Sequence, residues 1–147
     1  MEVYTFVNHE SKKLQDHNLT AISLTALQQE HIFNDFCRNY LNGSYQSFQS
    51  LLLLQPIPKK KRLEWIHTSA KRPKQVNRQT LLEFLSQLII GFENLENHQM
   101  IDLVEDYFIL KNSAGIQQHL SSKNISDWRM NKASYLKEIS RIFQQHL

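Results

Sequence analysis

A chain of 147 residues with 41% hydrophobic and 10% aromatic side chains carries enough apolar surface for one folded domain, which excludes wholesale disorder. Three Gly and three Pro are too few for the many turns of an all-β fold, and the single cysteine, Cys37, excludes an internal disulfide. Net charge is only +3, but residues 59–78 hold eight of the 17 Lys and Arg against one acid, Glu64, while Gln79 to Leu110 carries six acids and no Lys or Arg.

In chain order, Glu2–Val7 alternates β-branched and aromatic residues and reads as a short strand. A polar connection follows. From Ser23, a plausible cap, to Leu41, apolar residues recur at spacings of three and four, which predicts a helix stopped by Asn42-Gly43. Ser44 caps a second helix with Tyr45, Phe48, Leu51 and Leu52 inward, ended by Pro56 and Pro58. A short projecting helix is expected over Lys60–Ala70, burying Leu63, Ile66 and Ala70, with Pro73 as its breaker. Asn77 caps the strongest helix, Arg78–Phe92, whose Leu81, Leu82, Leu85, Leu88, Ile89 and Phe92 predict the centre of the core. Further helices are expected over Gln99–Leu110 and Ile116–Leu120, separated by a turn at Asn112–Gly115, and from a Ser126 cap to the C-terminus, with Trp128, Tyr135, Leu136, Ile139, Ile142 and Phe143 as its apolar face. The fold expected is all-α: one domain, a compact bundle of six to seven helices, with residues 1–20 loosely packed against it.

No charged-then-apolar leader opens the chain. The longest apolar run, Leu51–Leu54, falls far short of the roughly 20 residues of a membrane span. These features predict an intracellular protein, cytoplasmic or, in a eukaryotic or viral setting, nuclear, with no membrane contact. Glycine-rich phosphate loops, paired cysteines and His-Glu-x-x-His spacings are absent, so no cofactor and no metal are expected. His31, Asp35 and Cys37 share one helix, but Cys37 reads as core.

The basic block is the feature with chemical content. Lys59, Lys60, Lys61, Arg62, Lys71, Arg72, Lys74 and Arg78 form a candidate phosphate-binding segment, since phosphate contacts need clustered cations and little else. Trp65 and His67 lie within it and are candidates to stack on an unpaired base. Pro58–Arg62 also resembles a monopartite nuclear localisation signal, and Lys59-Lys60 with Lys71–Lys74 a bipartite one. Arg62-x4-His67 and Arg141-x4-His146 resemble the Arg-x4–6-His motif that HEPN-type ribonucleases carry on a helix. That resemblance implies an acid–base His and a phosphate-holding Arg. The position after the Arg, often polar in that family, is Leu63 or Ile142 here. Two helices flanking Ser121–Asn124 would make a helix-turn-helix, with Arg129, Asn131 and Lys132 facing a groove.

The leading expectation is a non-enzymatic, nucleic-acid-binding accessory factor, for DNA or RNA. The alternative is an adaptor or assembly subunit whose basic block meets an acidic protein surface, including the 83–106 segment of a second copy in a homodimer. A HEPN-like ribonuclease comes third.

Overall fold

The structure is a computed structural model that describes residues 19–131, 133 and 135–147. The predicted N-terminal strand, Glu2–Val7, lies outside the described residues. Those residues do not form an all-α bundle: six α-helices alternate with eight short strands in three small sheets. The helices are α1 (Ala26–Phe36), α2 (Tyr45–Leu52), α3 (Arg78–Leu88), α4 (Asn97–Tyr107), α5 (Ser122–Met130) and α6 (Leu136–Gln144). The strands are β1 (Thr20–Ala21), β2 (Leu41–Asn42), β3 (Leu63–Trp65), β4 (Thr68–Ser69), β5 (Arg72–Val76), β6 (Ile89–Ile90), β7 (Phe108–Lys111) and β8 (Gln117–Gln118).

Two of the four expected caps, Ser44 and Asn77, start their helices; Ser126 does not, lying inside α5, whose cap is Ser121. Ser44 and Asn77 accept from the backbone N–H groups of Ser47 and Thr80, as their positions predict. For α1 the cap is Thr25, not Ser23: its hydroxyl accepts from Gln28 N while the Gln28 amide oxygen accepts from Thr25 N, a reciprocal box that Ser23 lacks the spacing to form. The ends are where the helical expectation fails. Helix α1 stops at Phe36, because Cys37 turns extended and Arg38 takes a left-handed φ of 78°. The freed chain becomes β2. Helix α3 stops at Leu88, where the β-branched pair Ile89-Ile90 turns into β6 and pairs with β1. Helix α4 likewise gives way at Phe108 to β7. The helix expected over Ile116–Leu120 contains β8 instead, and the long C-terminal helix is two, α5 and α6. The turn at Asn112–Gly115 forms as predicted, closed by Gly115 N donating to Asn112 O.

The main sheet runs β2-β3-β7-β8. Strand β3 lies at its centre, antiparallel to β2 and parallel to β7, with Leu63 opposite Phe108 and Trp65 opposite Leu110. All four are buried, so the register puts one face of both strands on the core. The parallel β3–β7 pair requires a crossover, supplied by α3 and α4. Helix α3 is the centre of the core, as predicted: Leu81, Leu82, Leu85 and Leu88 are fully buried, with Ile89 and Phe92 after it. Phe84 links its neighbours, with ring centroids 4.7 Å from Phe36, 5.2 Å from Trp65 and 5.7 Å from Phe143. The helix therefore sits between the sheet on one side and α1 and α6 on the other.

The expected helix over Lys60–Ala70 is overturned. Lys59–Lys61 is one 3₁₀ turn, followed by β3 and then the β4–β5 hairpin. A helix there would have aligned Leu63 with Ile66 and Ala70. The structure instead uses the spacing of two between Leu63 and Trp65, burying both, and leaves Ala70 exposed. Pairing on both edges of β3 outweighs a weak local helical preference.

Candidate functional site

The eight cations of the basic block fall into three settings. Lys59, Lys60 and Lys61 stand exposed on the 3₁₀ turn, whose backbone is held when Ser47 Oγ donates to the Lys61 carbonyl (2.5 Å). Lys71, Arg72 and Lys74 are exposed on the hairpin. Arg62 and Arg78 are half-buried. Arg78 is engaged: its Nε donates to the His119 carbonyl (2.7 Å) and its Nη1 to the Val76 carbonyl (3.4 Å), and burial lowers its pKa. Arg62 Nε is buried without a hydrogen-bond partner among the described residues.

The hairpin is fixed in place by its main chain. Ser113 Oγ donates to the Pro73 carbonyl (2.7 Å), Asn112 Nδ2 and Gln118 Nε2 both donate to the Lys74 carbonyl, and Val76 N donates to Gln118 Oε1 (2.7 Å). The turn between β7 and β8 thus grips the hairpin backbone and leaves its basic side chains to solvent. Among the described residues, none of Lys59, Lys60, Lys61, Lys71, Arg72 and Lys74 forms an ion pair; Glu64, the one acid of the block, pairs with Lys111 across the sheet. The acidic 83–106 stretch does not neutralise the block either. Glu96 and Glu105 lie near His98 and His119, and Glu83 accepts from Trp128 Nε1 (2.9 Å).

Of the two predicted stacking residues, Trp65 is excluded. It is fully buried in β3, its Nε1 donates to the Asn77 carbonyl (3.1 Å), and its ring packs on Tyr40, Phe84 and Phe108. His67 is half-buried under Tyr40, with ring centroids 4.4 Å apart, and burial lowers its pKa by disfavouring the charged ring. Thr80 Oγ1 donates to the Asn77 carbonyl and therefore accepts from His67 Nδ1 (2.9 Å), which leaves His67 Nε2 as an acceptor.

His67 lines a cleft of about 630 Å³ between the hairpin, the start of α3 and α5. Lys71, Arg72, Gln79, Asp127 and Tyr135 share its wall. Sequence periodicity assigns Tyr135 to an apolar helix face, yet it is 45% exposed. Its hydroxyl donates to Gln79 Oε1 (3.0 Å) and accepts from Asn131 Nδ2 (2.8 Å). No local signal finds this group, because Gln79 and Tyr135 are 56 residues apart. A second cleft of about 670 Å³ is bounded by Glu83, Trp128 and Arg129. Arg129 is used there to hold the Glu93 and Leu95 carbonyls.

The other motifs are not assembled. Arg62 and His67 flank a strand, not a helix, so the HEPN arrangement is not formed there. Arg141 ion-pairs with Glu138, and His146, beyond the end of α6, bonds Asp35 (2.5 Å). Ser121–Asn124 is the capping box of α5 rather than a turn between helices, and Arg129 and Asn131 are tied into the fold; Lys132 lies outside the described residues. Among the described residues no cluster of His, Cys, Asp and Glu is placed to hold a metal, and no helix is long and apolar enough to cross a membrane. Comparison of the chain with models of known families, with curated proteins and with solved structures found no match in any of the three.

Proposed function

We propose that this protein is a small nucleic-acid-binding accessory subunit that contacts phosphates through residues 59–78. One observation carries the proposal: six cations, Lys59, Lys60, Lys61, Lys71, Arg72 and Lys74, stand exposed on a held backbone without an acid partner among the described residues. Charges left unneutralised by their own fold are available to phosphates, and each phosphate contact releases condensed counterions. Arg78 is a structural member of the block, since its guanidinium is committed to carbonyls.

The test is a binding titration against single- and double-stranded DNA and RNA at about 50 and 200 mM salt. Six contacts correspond to a loss of affinity of roughly 10³-fold across that range. Reversing Lys60, Lys61, Lys71 and Arg72 to Glu abolishes binding to all sequences alike, because phosphate contacts position a protein without reading bases. Fold stability changes little, since exposed charges contribute little to it. Absence of binding at low salt with micromolar protein refutes the proposal. Glu93, Glu96, Asp102 and Glu105 are also exposed, and none of them pairs with a Lys or Arg among the described residues. Salt-sensitive self-association, lost in the same variant and regained on reversing Glu93, Glu96 and Asp102, assigns the block to a second copy instead.

A further inference from the structure

The geometry points to one unstacked nucleotide of a single strand as the occupant of the cleft beneath the β4–β5 hairpin, its base on the Tyr135 ring and its phosphate on Lys71 and Arg72. This rests on the phosphate-binding role proposed for the hairpin and says what the strand does there. The cleft, at about 630 Å³, is in the range of sites for small organic ligands and far too small for a duplex. Its chemistry is divided. Lys71 and Arg72 are exposed and supply positive charge with no ion-pair partner among the described residues. Tyr135 supplies an aromatic surface of unusual availability: both roles of its hydroxyl are satisfied by Gln79 and Asn131, while its ring has no aromatic partner among the described residues. The ring is held from its tip, so a base stacking on it has little side-chain freedom to freeze.

Asp127 also faces the cleft. A carboxylate repels a second phosphate and accepts hydrogen bonds from ring N–H or exocyclic amino groups. His67 lines the same wall, and with Nδ1 engaged by Thr80 the Nε2 of its neutral ring is left as a further acceptor. In a duplex those base edges are paired and the base face is stacked, so only an unpaired nucleotide presents them together. The division into a cationic edge, an aromatic wall and acceptors matches phosphate, base face and base edge in turn.

The experiment measures fluorescence anisotropy of a labelled single strand and of a duplex of the same sequence, titrated with the full chain and with Tyr135→Ala and Tyr135→Phe. Tyr135→Ala is expected to weaken single-strand binding by about 5- to 100-fold, the loss of one base–aromatic stack, and to leave duplex binding within about twofold. Tyr135→Phe keeps the ring and restores single-strand affinity to within a few-fold of the parent. Circular dichroism and thermal melting confirm that each variant is folded. Equal single-strand affinity of Tyr135→Ala and the parent, or equal loss on both ligands, overturns the nucleotide site while leaving phosphate binding by the hairpin intact. Failure of the parent to bind either ligand at low salt overturns both.

Discussion

Replacing Trp65 with Phe separates a core tryptophan from a ligand-stacking one. Trp65 lies fully buried on the central strand, against Phe84 at 5.2 Å, Tyr40 at 5.8 Å and Phe108 at 6.1 Å. The Phe side chain keeps one ring in place and removes the rest of the indole, a partial large-to-small change that costs about 1–2 kcal/mol. It also removes the Nε1 donor to the Asn77 carbonyl. That carbonyl keeps the Thr80 hydroxyl as a donor at 3.1 Å, so the lost hydrogen bond costs only about 0.5–1.5 kcal/mol. The expected total is about 1.5–3.5 kcal/mol, which for a chain of this size lowers Tm by roughly 3–14 °C. Urea unfolding followed by fluorescence reads it directly, because Trp128, the other tryptophan, is also buried and remains as the reporter. Trp65→Ala is the less useful variant, since a cost of about 3–5 kcal/mol approaches the whole stability of a marginal domain. Affinity for single-stranded nucleic acid should change by less than about twofold in Trp65→Phe. A variant of unchanged stability that has lost binding refutes the placement of Trp65 in the core.

Two further perturbations test the fold around the site. Gly43 has φ 149°, and a Cβ built on it would sit 2.6 Å from Leu63 Cδ2 on the buried central strand; Gly43→Ala is expected to destabilise by about 1–3 kcal/mol in thermal or urea melts, and a neutral variant shows that β3 is not packed against this turn. His67 tests the buried edge of the cleft through pH. Burial lowers its folded pKa, so just below the unfolded value of about 6.5 the unfolded chain binds the proton that the folded one refuses. Stability therefore falls as pH drops below about 6.5, down to the folded pKa, and His67→Gln flattens that part of the urea-midpoint profile; an identical slope in parent and variant shows that His67 is solvated in the folded state.

Sequence alone determined the features that depend on neighbours along the chain. Ser44 and Asn77 cap their helices because a side-chain acceptor needs only the backbone N–H groups of the next turn. The apolar stripe of α3 marks the core because a period near 3.6 repeated over three turns is unambiguous. The polarity of charge between residues 59–78 and 79–110 is likewise read directly from composition. The fold class was not legible, and the strands show why. Each is two to five residues long, too short to distinguish a period of two from one of 3.6, and their partners are remote: Leu63 to Trp65 is specified by Phe108 to Leu110. The same limit applies to the site. Which cations remain unpaired, whether Trp65 faces core or solvent, and how Tyr135 comes to share a cleft with Lys71 and Arg72 are settled by contacts between residues tens of positions apart. Those contacts exist only once the sheet, α3 and α6 have packed together, so tertiary structure decided them.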